Sequence, residues 1–292
     1  MNALADFAEI VTEEQALAKH TSLGIGGPAE YLARPRQIEE LAKLVQTCRS
    51  EGIPFAIMGG GSNLLVPDEG VRGVVIALTE PAFREISATG TTIRAGAGAL
   101  LSDLIAEASR ASASGLEVLV GIPGTVGGAL RKNAGDRGGD VGQYVKEVTV
   151  MHDGGDVVVR GRADISFSYG QSDLDDALIL DATFELIEDN QDQIVRRIKK
   201  LWISKKATQP FGFQAAGYIF RDPRGQSAVE LIDRVSLRGT RVGGAELSER
   251  DPRFIVAHDP CSSRDVLRLI DLVRSRVAEV TGVSLELQID VW

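Results

Sequence analysis

An α+β fold is predicted by three features of the sequence. Helical and strand spacings succeed one another along the chain, two glycine-rich runs are each entered from an apolar segment, and the C-terminal stretch alternates strictly between apolar and polar residues. The first helix is read from Ile38, Leu41, Leu44, Val45 and Cys48, with Gly52 and Pro54 closing the pattern before a strand at Phe55 to Met58. Gly59, Gly60, Gly61, Ser62 and Asn63 follow that strand as a turn rich in N–H and side-chain donors. Short buried strands are expected at Val74 to Leu78 and Thr91 to Ala95. Leu100, Leu101, Leu104, Ile105 and Ala108 mark a second amphipathic helix.

The second glycine run spans Gly121 to Gly135, with glycine at 121, 124, 127, 128 and 135. Glycine weakens any helix or strand laid through it and lets backbone approach a ligand closely, so the run is read as a shaped loop. Beyond it, Val148 to Met151 and Val157 to Arg160 flank Asp153-Gly154-Gly155 as a hairpin, and Leu178 to Leu186 gives a further strand. Gln191 to Ile203 has helical spacing through Ile194, Ile198, Leu201 and Trp202, with lysines near its end that complement a helix dipole. After Pro210 the chain reads as a separate α+β module, with a helix around Ala228 to Val235, a strand at Phe254 to Ala257 and a long helix from Asp265 to Val280. Val283, Leu285, Leu287, Ile289 and Val291 then alternate with Ser284, Glu286, Gln288 and Asp290, which predicts a half-buried strand with a polar face.

Composition narrows the function. A chain of 292 residues has room for two or three domains, and 43% hydrophobic with 25% charged residues is the balance of a soluble globular protein. A net charge of −9 argues against nucleic acid as a partner. No apolar run reaches the roughly 18 residues of a membrane span, and Met1 to Glu14 has no basic start of a secretory signal, so a cytoplasmic monomer is expected. Cys48 falls on the apolar face of the first helix and is read as a packed thiol. His20, His152 and His258 are dispersed, so no metal is expected. Two glycine runs in one chain point to a dinucleotide, although the spacing is not that of a Rossmann fingerprint.

Thr21 to Ala29, the Gly59 to Asn63 turn, and Gly121 to Gly135 resemble the three FAD-contacting stretches of the UDP-N-acetylenolpyruvoylglucosamine reductase family. The similarity continues through Thr208-Gln209-Pro210 and Phe220 to Pro223 to the end of the chain. The resemblance implies an FAD-binding fold of the vanillyl-alcohol-oxidase kind with two subdomains, over 1–78 and 79–207, and a substrate domain over 208–292 whose last strand returns toward the flavin. The shorter second type of the family is implied. Noncovalent FAD would be held by Gly59, Gly60, Gly61, Ser62, Asn63, Gly121, Ile122, Pro123, Gly124, Thr125, Gly127, Gly128, Ala129 and Asn133. NADPH would be the reductant, a UDP-sugar bearing an enolpyruvyl group the substrate, and peptidoglycan precursor synthesis the setting.

Hydride addition beside a carboxylate builds negative charge and then needs a proton, so the family's site pairs a cation with acids. At the matching positions this sequence differs. Tyr169 is kept, but Gly170 stands where the family has Arg, Tyr218 where it has Ser, and Gln288 where it has Glu. Arg221 and Asp222 replace a Lys-Asn pair implied to hold substrate. Tyr218 reads either as a substitute donor, a phenol of pKa about 10 being a better acid than serine, or as a core aromatic. Glu286 shares the polar face with Gln288, and Arg131 or Lys132 are candidates for the missing cation. Two functions therefore stand: a reductase with substituted proton donors and weakened activity, or a flavoprotein that no longer reduces the sugar.

Overall fold

The computed structural model describes residues 3–136, 138–152, 154–175, 178–210 and 215–292. Asp153, in the expected hairpin turn, lies outside the described residues. The chain forms two compact units: Met1–Glu14, Glu30–Gly60 and Arg72–Ser204 in the first, Gln15–Ala29, Gly61–Val71 and Lys205–Trp292 in the second.

In the first unit, helix α1 (Ile38–Ser50) buries Leu41, Leu44, Val45 and Cys48, the stripe its spacing predicts. Burial pushes the Cys48 thiol up from its ordinary value, so it packs as a small hydrophobe. One sheet has strand order Val11–Ala16, Pro28–Ala33, Val71–Ala77, Phe55–Met58, the last two parallel with Phe55 opposite Val74. A second, antiparallel sheet has order Val157–Gly161, Val145–Met151, Leu178–Glu185, Thr92–Gly96, Ile86–Thr89. Helix α2 (Leu101–Arg110) buries Leu101, Leu104, Ile105 and Ala108 in the same core as the α1 stripe.

The glycine run is not loop throughout, as the sequence suggested. Helix α3 (Val126–Arg131) passes through Gly127 and Gly128, with Thr125 as N-cap accepting the Gly128 N–H at 3.4 Å. The cap and the burial of Val126, Ala129 and Leu130 offset the poor propensity of two glycines. Helix α4 (Gln191–Thr208) runs longer than its apolar pattern and buries Ile194.

Glu117, fixed near α4, is a buried carboxylate. Its Oε2 accepts the Gly115 N–H at 2.6 Å, and its Oε1 accepts Arg197 Nη2 at 2.8 Å and the Ser114 hydroxyl at 3.1 Å. Burial works against the charge, but those N–H groups, Arg197 and Ser114 outweigh it and hold Glu117 below the usual carboxylate range.

In the second unit, the strands Ala216–Tyr218, Phe254–Ala257, Ala245–Leu247 and Arg241–Val242 form an antiparallel sheet in that order. Helices α5 (Ala228–Arg234) and α6 (Ser263–Thr281) share one core with it through Leu231, Ile232, Val266, Leu269, Ile270 and Val273. A capping box between Ser262 and Asp265 starts α6 and Gly282, at φ 72°, ends it.

The expected long strand over 283–291 is not a ladder strand. Asp290–Val291 alone pairs, in parallel with Leu64–Leu65, and Leu287 makes a single bridge to Phe220. The alternation is still felt, since Leu285 and Ile289 are buried. The backbone bonds, however, go in turn to different partners: Arg221 N–H to Glu286, Gln288 N–H to Ile219, and Asp290 N–H to Asn63. Alternating burial requires an extended chain on an apolar surface; it does not require one neighbouring strand.

Candidate active site

Glycine in the first unit's turn is explained by close approach. A Cβ on Gly59 would lie 2.7 Å from the Thr125 hydroxyl, and one on Gly60 3.0 Å from the Gly124 Cα. The Phe55–Met58 turn and the N-terminus of α3 therefore touch backbone to backbone. Gly121 and Gly124 have φ of 78° and 126°, which a side chain resists. Asn133 is buried and its amide is spent inside the protein: Oδ1 accepts the Gly142 N–H at 3.1 Å and Nδ2 donates to Ser168 O at 2.9 Å.

That second bond fixes the strand leading to Tyr169. Phe167–Ser168 and Gln171–Ser172 form a hairpin whose two loop residues are Tyr169 and Gly170, with Gly170 at φ 72°. Ser172 Oγ donates to Arg131 O at 3.1 Å, so the hairpin is tied at one strand to the end of α3 and at the other to Asn133 just beyond it. Tyr169 stands 61% exposed at the tip. Arg131, a candidate for the missing cation, is paired with Asp175 at 3.1 Å.

In the second unit, a Cβ on Gly61 would overlap the His20 carbonyl oxygen at 1.7 Å, which packs this turn against Thr21. Asn63 Nδ2 donates to the Gln288 carbonyl at 2.9 Å. Gln288 N–H in turn donates to Ile219 O at 2.7 Å, so the segment with Gln288 lies between the Asn63 turn and the residue after Tyr218. The half-buried ring of Tyr218 sits 5.0 Å from that of Phe254, and the Arg253 guanidinium lies 5.4 Å over it.

Arg221 and Glu286 form an ion pair, and Glu286 is otherwise largely exposed. Asp222 turns inward. Its Oδ1 accepts the Ala228 N–H at the start of α5 at 2.9 Å, and its Oδ2 lies 3.5 Å from Arg253 Nη1.

With this geometry in hand, similarity to known proteins is specific. Residues 29–161 match the FAD binding domain family, and residues 209–292 match the C-terminal domain of UDP-N-acetylenolpyruvoylglucosamine reductase. The chain is 41% identical over 286 residues to the UDP-N-acetylenolpyruvoylglucosamine reductase of Moorella thermoacetica, covering 97% of this chain and 93% of that one. The chain belongs to the UDP-N-acetylenolpyruvoylglucosamine reductase family. A second relative, UDP-N-acetylenolpyruvoylglucosamine reductase 2 of Symbiobacterium thermophilum, is 39% identical over 284 residues, covering 97% and 92%. The crystal structure of the reductase from Thermus caldophilus superposes with a TM-score of 0.81 at 36% identity, covering 97% of this chain and 98% of that one.

The expected α+β fold with an FAD-binding domain and a C-terminal reductase-family domain is thus borne out, and FAD is the cofactor of this family's first domain. FAD fits the glycine cradle on one structural ground. Gly128 is exposed and helical, and an added Cβ would meet nothing nearer than the Thr125 hydroxyl at 3.5 Å. Among the described residues the packing does not call for glycine there, and a flat ligand lying against the backbone would account for it.

The three residues that the resemblance placed at the family's catalytic positions differ in kind. Gly170 is a turn residue with positive φ, Tyr218 is a stacked phenol beside a cation, and Gln288 is held in place through its backbone. Arg253 and Asp251 are absent from the sequence reading. Asp251-Pro252-Arg253 immediately before the strand Phe254–Ala257 is an Asx-turn signal, and the Asp251 carboxylate does accept the Arg253 N–H at 3.1 Å.

Proposed function

We propose that the chain binds FAD noncovalently and reduces the enolpyruvyl group of a UDP-sugar with NADPH as reductant, slowly, with Tyr218 as proton donor. The observation that carries this reading is the Tyr218 hydroxyl facing Arg253, on the strand that leads into Ile219, whose carbonyl holds Gln288. When bound and reduced by NADPH, FAD would supply the hydride for the double bond. Gly59 to Asn63 would hold the flavin through backbone N–H groups, and Gly121 to Gly128 by letting backbone approach it closely, since the N–H groups of Ile122, Val126, Gly127 and Gly128 are already bonded within the protein.

Tyr218 then gives its hydroxyl proton to the carbon beside the carboxylate. Gln288 orients by hydrogen bonding and delivers no proton. Gly170 supplies no charge, so the developing enolate lacks the cation the family places there. Loss of one such group costs about 10²–10³ in rate, and losses within one site do not add. Turnover is expected at least about a thousandfold below an ordinary median of roughly 10 s⁻¹.

Arg221 meets the phosphate or carboxylate end of the substrate. An incoming anion displaces Glu286, and because that carboxylate is largely exposed, separating the pair costs about 0–1 kcal/mol. Arg221→Ala should weaken binding of a UDP-N-acetylglucosamine derivative, read by calorimetry; unchanged affinity removes Arg221 from the site.

The deciding experiment is anaerobic bleaching of the flavin by NADPH, followed by addition of the enolpyruvyl sugar. Bleaching with slow, substrate-dependent recovery of the yellow form is expected. Bleaching with no recovery identifies the protein as a flavoprotein that has lost the second half-reaction. A colourless protein that gives no heat with FAD refutes the cofactor assignment.

A further inference from the structure

Arg253 is held as few surface arginines are. Its Nε donates to Asp251 Oδ1 at 2.9 Å and its Nη2 to Asp251 Oδ2 at 2.7 Å, a two-point fork onto a buried carboxylate. Asp251 is itself fixed, its N–H donating to the Ser248 hydroxyl at 3.3 Å. The Arg253 carbonyl accepts the N–H groups of Ile219 and Phe220 at 2.8 and 3.2 Å, which locks the residue's backbone to the two residues after Tyr218.

With two nitrogens used by Asp251, the third, Nη1, faces outward onto two oxygens. It lies 3.5 Å from the Tyr218 hydroxyl and 3.5 Å from Asp222 Oδ2. Both are at the outer limit of a hydrogen bond, as catalytic contacts often are before a substrate is bound. Burial pulls the guanidinium down, but the hydrogen bond to Asp251 and the charges of Tyr218, Asp251 and Asp222 outweigh it and keep Arg253 above its ordinary range. It is therefore a permanent cation, and its plane covers the Tyr218 ring while Phe254 tilts against the ring at 58°.

We propose that Arg253 is a positioning residue for Tyr218, fixing the phenol ring and stabilising the phenolate that remains after the proton has left. The inference rests on the reading of Tyr218 as proton donor. In the step, the hydride adds to the terminal carbon of the enolpyruvyl group and the double-bond pair moves onto the carbon bearing the carboxylate. The Tyr218 O–H bond breaks as a C–H bond forms there. The phenolate is held against Nη1 until water returns the proton. A cation beside the oxygen makes the phenol a stronger acid, by the same Coulomb attraction that lowers a carboxyl beside arginine. Asp222 opposes it in part, and Asp222 is drawn off toward the Ala228 N–H. Among the described residues, the charged groups facing the phenol include Arg253, its partner Asp251, and Asp222.

The test reads the phenol directly and needs no turnover. Ultraviolet difference titration of the parent against Tyr218→Phe isolates the ionisation of Tyr218 from that of Tyr31, Tyr144 and Tyr169. It is repeated in backgrounds carrying Arg253→Met and Arg253→Lys, over the range in which circular dichroism is unchanged. The midpoint is expected below the ordinary phenol value of about 10. It should rise by about one pH unit or more in Arg253→Met and by less in Arg253→Lys, which keeps the charge without the fork. Equal midpoints in the parent and Arg253→Met overturn the inference.

Rapid-mixing kinetics separates this inference from the reading beneath it. Arg253→Met should slow flavin reoxidation by the enolpyruvyl sugar about 10²-fold, leave flavin bleaching by NADPH unchanged, and add less than about twofold once Tyr218→Phe is present. An equal loss in the Tyr218→Phe background shows a merely structural role and overturns the positioning assignment alone. Reoxidation unaffected by Tyr218→Phe overturns the donor reading and this inference with it.

Discussion

Glycine at position 170 is set by backbone geometry, and this constrains any attempt to rebuild the family's site. At φ 72° an L side chain costs about 1–2 kcal/mol, and the hairpin cannot relax freely because Asn133 and Ser172 tie it to neighbouring backbone. Gly170→Arg alone is expected to lower unfolding stability by about that amount, measured by denaturant titration. Combined with Tyr218→Ser and Gln288→Glu, it should raise turnover more than any single change, because cation, donor and acid act as a unit. A triple variant no faster than the best single variant would refute the assignment of these positions. Tyr218→Phe removes one hydroxyl and should lower the remaining turnover by about 10²-fold while FAD stays bound.

At the scale of elements, the glycines around α3 divide into those that packing requires and one that packing does not. Gly60→Ala places a methyl 3.0 Å from the Gly124 Cα, where backbone must move, and should destabilise the apoprotein. Gly128→Ala meets only an ordinary contact with the Thr125 hydroxyl at 3.5 Å in a helical position, so the apoprotein should gain up to about 1 kcal/mol. Its FAD affinity should nonetheless fall. Fluorescence titration with FAD that finds Gly128→Ala as tight as the parent would place the flavin elsewhere.

Glu117 supplies a pH dependence that is separate from the chemistry. Its folded pKa is depressed below the ordinary 4.5, so its contribution is complete above about that pH and is lost as pH falls through the lower folded value. Replacing it by Gln, with Arg197 and Asp189 left in place, should cost about 2 kcal/mol at neutral pH. The difference from the parent should shrink as pH falls below about 4.5. Stability curves that run parallel through the acid range would contradict the assignment.

For the whole molecule, FAD binding should appear as stability: at about 100 times its Kd the flavin adds about 2.7 kcal/mol, or roughly 4–5 °C in Tm for a chain of this length. A melting temperature indifferent to FAD would remove the cofactor from the folded protein. The α1 stripe, the strand Phe55–Met58 and the α2 stripe were legible in the sequence because burial of one helical face or of a short apolar run is a local decision. The positive φ of Gly61, Gly121 and Gly124 was legible for the same reason, since it is a property of single residues. Helix α3 within Gly121–Gly135 was not, because the Thr125 cap and the burial of Leu130 override the propensity of Gly127 and Gly128.

At the candidate site, the sequence by itself named Gly170, Tyr218 and Gln288 as positions to compare with the family, because the motif around each is contiguous. It could not show that Arg253 lies over Tyr218, that Asp222 caps α5, or that Asn63 holds the backbone of Gln288, contacts spanning 35, 6 and 225 positions. Only the tertiary structure decided that Gln15–Ala29 and Gly61–Val71 pack with the C-terminal residues. Hydrophobic patterning says which face of an element is buried; it does not carry the address of the surface that buries it, and side-chain charges find their partners only after that surface has formed.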